Sequence, residues 1–526
     1  MTRITNIIAL IFLAQFAFTN CTNQDKTRDS RPNIVLIMGD DIGFSDIGCF
    51  GSEIATPNLD KLASEGIRFK QFYNMSKCES TRSVMLTGHY TGDERSIGLG
   101  NIFKDAGYYT IHSGKEHFRK WVPQSVYAKN AFHESYTFWA CNEFFIPPDS
   151  TFQRPFILQG KEIHARDLLY KGEEFYKTDA FTDFALDKLK ARKDEDVPFF
   201  LYLPYGAAHY PLQARQEDID KFRGKYRQGW DMLRQNRYKK MIELGVLDQK
   251  YALSEPSSNI NKFRGASHKI DEEIQAKIPL YRPWDSLTER EKDALDLEMA
   301  VFAAMVHRMD YNIGKVTDYL SETGQRDNTV IMFLSDNGSC PYDSNADFDH
   351  DPGDPAGYRT LSAAWANLGN TPFRYFKQYG HEGGAHTHFI AHWPNTINAN
   401  QITNQPAHLV DIFPTMLDIA GIEYPASVNG ASTLPLHGRS MLPIFEGGER
   451  TMPDFFVSGH QNRFRMYREG DWKIVNTNND GWALYNLDDD LTEIKNLAVE
   501  NPTKVEALER NLQTWEASLP GGKAQF

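Results

Sequence analysis

Two stretches constrain this chain most: PNIVLIMGDD, from residue 32, and NTVIMFLSDNG, from residue 328. In each, an unbroken apolar run (Ile34–Met38 in the first) stops at acidic or amide residues. Apolar residues without polar alternation read as a strand buried on both faces, the kind found in parallel sheets covered by helices. In open sheets of that kind the carboxyl ends of the strands border the ligand crevice. Asp40, Asp41, Asp336 and Asn337 would then meet at one edge.

The chain between and around these strands alternates in the same way. TPNLDKLASEG reads as a helix, with Thr56 as cap, Pro57 at the first helical position and Gly66 as stop. IRFKQFYN, AGYYTIHSGK and PFFLYLPY read as strands, and DAFTDFALDKLKAR as a helix. Apolar residues at Leu295, Met299, Phe302, Val306, Met309, Ile313, Val316 and Leu320 mark a long packed helix. A coiled coil competes for that pattern, but a buried strand follows at once. The expectation is an α/β fold with a doubly wound, mainly parallel sheet. The catalytic domain should span 31–437, with a charged insertion of short helices and loops at 214–292. From 438 to 526 the texture changes to antiparallel strands and one helix, a smaller C-terminal α/β subdomain.

A net charge of −13 argues against general binding to nucleic acid or anionic membranes. The first residues, MTRITNIIALIFLAQFAFTNC, read as an export signal over 1–20: Arg3, then an apolar stretch too short to span a bilayer. Cys21, ahead of a polar tether over 21–30, resembles the lipidated cysteine of a bacterial lipoprotein, with plain secretion the alternative. The expected location is outside the cytoplasm, in the periplasm or at the outer membrane. Of the five cysteines, Cys21, Cys49, Cys78, Cys141 and Cys340, an odd and sparse set makes no disulfide framework.

Three carboxylates and an amide offer only oxygen ligands, which suits Ca²⁺ or Mg²⁺. Lys115, His117 and His209 follow strands of the same sheet, and Lys377 lies in FKQYGHEGG. A hard cation with lysines, an arginine and histidines would bind a tetrahedral oxyanion. Glu79 to Leu86 would form a helix with Cys78 at its N-terminus, where free amides and the helix dipole favour an anion, with Arg82 one turn on.

These residues resemble the signature of the formylglycine-dependent (type I) sulfatases of the alkaline phosphatase superfamily. Cys78-Glu79-Ser80-Thr81-Arg82 with MLTG carries the likeness, as do PNIVLIMGDDIGFSDIG, GKEH, LSDNG and Lys377 with its EGG. The stretch Ala364–Gly384 looks closest to bacterial arylsulfatases. The resemblance implies that Cys78 is oxidised to formylglycine by a formylglycine-generating or anaerobic maturation enzyme. It implies Ca²⁺, with Mg²⁺ the runner-up, held by Asp40, Asp41, Asp336, Asn337 and residue 78. Arg82 would steady the hydrate, and Lys115 and Lys377 would hold the sulfate. His209 would protonate the leaving alcohol, and His117 would help release sulfate. A gem-diol nucleophile keeps a second hydroxyl whose deprotonation expels the sulfate without attack by water.

This chain departs from the pattern at Ser80, where the family has proline or alanine, and more mildly at Thr81. Glu116 replaces a tryptophan and would change the pocket wall. His386 and His388 follow EGG, as lining of a distinctive pocket or as loop. The expected substrate is a sulfated glycan or small sulfate ester. The alternatives are a phosphodiesterase or phosphonate-ester hydrolase of the same superfamily, and a non-catalytic protein that binds sulfated glycans.

Overall fold

The computed structural model describes residues 30–140, 143–146, 155–163, 175–193, 195–257, 283–341, 350–460 and 463–524. The export signal, Cys21 and Cys141 lie outside them. The strands of the main sheet are β1 (Asn33–Gly39), β2 (Ile67–Tyr73), β3 (Tyr109–Glu116), β4 (Glu134–Trp139), β5 (Phe156–Leu158), β6 (Lys161–Ile163), β7 (Phe199–Pro204), β8 (Thr329–Ser335), β9 (His386–His392), β10 (Gln401–Thr403) and β11 (Ala407–His408). They form one 11-stranded sheet in the order β10-β2-β9-β8-β1-β7-β3-β4-β5-β6, with β11 also on β2. β1 runs parallel to both β7 and β8, and β3 parallel to β7 and β4. β9 is antiparallel to β2 and β8, so the sheet is mixed but mainly parallel at its centre.

The two faces of β1 bury different cores. Val35 and Ile37 join the long helix Glu289–Glu322 through Met299, Phe302, Val306, Met309 and Ile313. Ile34, Leu36 and Met38 join the helices Cys78–Thr87 and Ile412–Ala420 on the other side. Each successive side chain points to the opposite face, so the unbroken apolar run is what a sheet covered on both sides requires. A capping box at Thr288 and Glu291 starts the long helix.

The described part of the charged stretch 214–292 does more than lie on the surface. Its helix Trp230–Glu243 buries Trp230 against Trp284 and Trp365. Arg237, also buried, pairs with Asp46 at 2.7 Å and Glu53 at 2.8 Å. Neutralised in that way, its charge can sit in the core.

The C-terminal sheet has four antiparallel strands: β12 (Phe456–His460), β13 (Phe464–Glu469), β14 (Trp472–Thr477) and β15 (Trp482–Asn486). It is joined to the main body by buried charges. Lys473 on β14 pairs with Glu382 and, at 2.8 Å, with Glu493. Glu382 also accepts from Tyr73 Oη at 2.9 Å and contacts His386 Nδ1 at 2.8 Å. Removing Lys473 would strand two buried carboxylates together. Lys473→Ala should therefore cost about 3–5 kcal/mol, seen as a lower urea midpoint; an unchanged midpoint would show that the charges do not hold the subdomain in place.

Candidate active site

The strand ends converge as the sequence predicts. Asp40 and Asp41 follow β1, and Asp336 and Asn337 follow β8, its parallel neighbour. Side chains of consecutive strand residues would diverge, but Asp41 has φ +63°, in the left-handed region that aspartate tolerates. Carboxylate oxygens of Asp40 and Asp41 and a ring nitrogen of His209 lie within 4.8 Å of one another. All of these residues are buried.

The cations pair with these acids. Lys115 Nζ donates to Asp40 Oδ2 at 2.5 Å, and Lys377 Nζ to Asp41 Oδ1 at 2.5 Å. Arg82 donates through Nε and Nη2 to Asp336 Oδ2, at 3.1 and 2.8 Å. The lysines assigned to sulfate thus stand on the carboxylates assigned to the cation. An ammonium has three donors, so one carboxylate does not exclude a second anionic partner. Burial works against the ionised forms of both acids. At Asp41 the neighbouring Lys377 and Lys115 outweigh it and hold the carboxyl below its ordinary range. At Asp40 burial, helped by Asp336, prevails over Lys115 and Arg82 and raises the pKa.

The helix Cys78–Thr87 begins at Cys78, as expected. Thr81 ties its first turn to the β8 end, donating to the Asp336 carbonyl at 2.7 Å and accepting from Met75 N–H. Cys78 Sγ is 3.3 Å from His117 Nδ1. Burial resists ionisation of this thiol, but Lys115, Lys377 and Lys77 overcome it and lower its pKa. Cys49 and Cys340 are free, buried thiols pushed the other way by burial.

Both site histidines are held neutral. Burial, then the field of Lys115, pushes the pKa of His117 and of His209 well below the ordinary value. His209 Nδ1 lies 2.8 Å from the Tyr210 carbonyl, which can only accept, so Nδ1 carries the hydrogen. Its Nε2 is 3.6 Å from Asp41 Oδ2. Glu79 is a site residue that sequence reasoning missed: its carboxylate is 3.5 Å from His117 Nε2 and pairs with Arg119. Nothing in the sequence set it apart from any helix-turn acid, because its partners come from the loop after β3.

Lys377 arrives through a tight contact between two glycine segments. A Cβ on Gly338 would lie 1.9 Å from the Gly383 carbonyl oxygen, so only glycine lets the β8 loop meet EGG. Beyond EGG, His386 and His388 neither line a pocket nor fill a loop. They are buried in β9, His386 held by Glu382 and the Lys70 carbonyl, His388 stacked on Phe333.

A test of metal fit is available in the polar atoms. Asp40 Oδ1, Asp41 Oδ2 and Asn337 Oδ1 are buried without a hydrogen-bond partner. Orphaned hard oxygens beside one another are what an oxygen-ligated divalent cation satisfies. Asp336, which accepts from Arg82 on Oδ2 and from the Asp41 N–H on Oδ1, completes the acidic wall.

A family model described as Sulfatase matches residues 32–422. A second, described as N-sulphoglucosamine sulphohydrolase, C-terminal, matches residues 372–517. An uncharacterised sulfatase of Schizosaccharomyces pombe is 31% identical, over 91% of this chain and 92% of its own. The N-acetylglucosamine-6-O-sulfatase of Bacteroides thetaiotaomicron is 25% identical, over 93% and 86%. Among solved structures, Ps i-CgsB in complex with k-i-k-neocarrahexaose has a TM-score of 0.63 at 22% identity, covering 92% of each chain.

Glu116, expected at the pocket wall, turns away from the site. On β3 it follows Lys115 and so takes the other face, where it accepts from the Ala128 N–H at 3.0 Å and Thr137 Oγ1 at 3.3 Å. Burial raises its pKa from 4.5 to about 6. A carboxyl raised on folding contributes stability below its unfolded value and loses it as pH rises through about 6. Relative to wild type, Glu116→Gln should gain roughly 2 kcal/mol between pH 4 and pH 8. Urea midpoints at both pH values would measure it; a pH-independent difference would contradict the assignment.

Proposed function

The chain belongs to the sulfatase family, and from that premise we propose an exported enzyme that hydrolyses sulfate monoesters of carbohydrates, using a formylglycine made from Cys78 and a bound Ca²⁺. The observation that carries this reading is the set of orphaned oxygens on Asp40, Asp41 and Asn337, ringed by Lys115, Lys377 and Arg82, at the helix entrance occupied by Cys78. The chemistry of the donor set favours Ca²⁺, with Mg²⁺ second.

When present, the formylglycine hydrate supplies the nucleophile and the cation supplies positive charge beside the sulfate. The chain's own residues do the rest. Lys115 and Lys377, ammonium groups with three donors each, hold the sulfate oxygens and stabilise the charge that builds on them. Arg82, fixed on Asp336, keeps a permanent positive charge one turn from residue 78. His209, with its Nδ1–H pinned on Tyr210, presents a bare Nε2; it takes up a proton there as the anionic substrate offsets the field of the lysines, and then hands that proton to the leaving alcohol. His117, beside Sγ of Cys78 and backed by Glu79, takes the proton whose loss releases sulfate.

The carbohydrate substrate is supported by the relative that is an N-acetylglucosamine-6-O-sulfatase. Export, and lipid attachment at Cys21, rest on the N-terminal sequence. Maturation requires an enzyme that accepts Ser80 in the motif; Ser80 is small and buried.

Protein produced with a maturation system should show conversion of Cys78 to the aldehyde in the mass of its tryptic peptide. It should release sulfate from a nitrophenyl sulfate far faster than it cleaves the matching phosphate diester. Cys78→Ala should lose at least about a thousandfold in kcat/KM. An intact thiol with no sulfate release would favour the binding-protein reading, and faster diester cleavage the phosphodiesterase one. Ca²⁺ should raise the Tm of the Cys78→Ala protein, and Asp41→Asn should abolish that rise.

A further inference from the structure

Trp139 is the last residue of β4, paired across the sheet with Glu116, and so stands at the carboxyl edge where the site lies. It is 40% exposed. Among the described residues it is the only exposed large hydrophobic side chain with a ring contact to a residue of the site. Its indole lies 5.9 Å from the His117 ring, at 70°, and His117 in turn touches Cys78 Sγ. The ring is not loose. Tyr127 lies parallel to it at 5.8 Å and 4°, and Phe118 meets it edge-on at 6.4 Å. Ala140 then turns the chain away with φ +63°, its N–H bonded to the Glu116 carbonyl at 3.2 Å.

A tryptophan braced on three sides and still open to solvent is poorly explained as core. Its cost is offset where a flat apolar face is needed for a ligand, as in sites that pair an apolar wall with a few polar anchors. The sulfate-side anchors here are buried charges, and the ring reaches them through His117, which touches Cys78 Sγ, so it borders the residue that would attack the sulfate. A sugar ring presents a face of C–H bonds that packs on an indole while its edge hydroxyls stay hydrated.

We propose that Trp139 is the stacking platform for the sugar ring that bears the scissile sulfate, and so a specificity-determining residue. The inference rests on the sulfatase reading above and adds where the carbohydrate is held. The acid–base and anion-binding groups do not contact the sugar through this ring, so its removal should weaken saccharide binding and leave sulfate binding alone.

The test uses matured full-length enzyme and a panel of monosaccharide sulfates, N-acetylglucosamine-6-sulfate among them. Trp139→Leu keeps apolar bulk and removes the flat ring; Trp139→Phe keeps a ring. The Leu variant should raise KM for the preferred sugar sulfate roughly tenfold, with kcat moving less and the inhibition constant of inorganic sulfate unchanged. The Phe variant should recover most of the loss. An unchanged KM in the Leu variant overturns the proposal. So does an equal loss of sulfate affinity, or a shifted pH profile, because either would mean that the ring merely props His117. Should wild type hydrolyse nitrophenyl sulfate but no sugar sulfate, the carbohydrate reading itself falls, an outcome visible before any variant is made.

Discussion

Six charges with almost no access to water set the terms for the rest of the molecule. Asp40, Asp41 and Asp336 face Lys115, Lys377 and Arg82, none of them more than 2% exposed. A lone ion placed there would cost several kcal/mol, and only close pairing makes the arrangement tolerable. The pairs connect different elements: β1 to β3, the β1 end to the EGG loop, and the Cys78 helix to the β8 end. The strand order β8-β1-β7-β3 is what brings them together. A slip of one residue in β3 would send Lys115 to the opposite face and Glu116 into the acids. Fold and site are therefore specified by the same pairings.

That coupling explains what could be read in advance. β1, β8 and the long helix announce themselves through uninterrupted or periodic apolar residues, and the acids stand where those runs stop. The Cys78 helix and its neighbours follow from local signals as well. Other parts depend on partners distant in the chain. β9 reads HTHFIAH, in which histidines occupy positions that a buried strand ordinarily gives to apolar residues. They are tolerated because Glu382, the Lys70 carbonyl and the Phe333 ring meet them, and of these only Glu382 is near its histidine in sequence. Glu116 was legible as a departure, but its direction was not, since that depends on the parity of β3 relative to Lys115. Lys377 was found by resemblance; the contact of Gly338 with Gly383 that delivers it carries no local signature.

The C-terminal sheet takes part in the same construction. Ser458 on β12 donates to the Asn74 carbonyl, just ahead of the Cys78 helix, and Arg463 donates to Gln378 Oε1 at 2.7 Å, beside Lys377. Lys473 holds Glu382, the first residue of EGG. The subdomain thus braces the two segments that bring residue 78 and Lys377 into the site. Its strands alternate ordinarily in sequence, so its existence could be read, while its role as a brace depends on three side chains whose partners lie in the main body.

The site also divides its labour by depth. The charges that hold the anion, Lys115, Lys377 and Arg82 with their acids, are buried at the ends of the inner strands β1, β3 and β8, where a change in one member leaves an uncompensated charge. Trp139 hangs from β4, farther toward the sheet edge, and is neutral and partly solvated. Replacing it disturbs no charge balance. A fold arranged in this way can alter the saccharide it accepts through residues at the rim while the buried chemistry stays fixed by its own pairing. The reaction type is therefore legible from spaced charged residues, and the sugar is not: its recognition rests on exposed groups whose identity the core does not constrain.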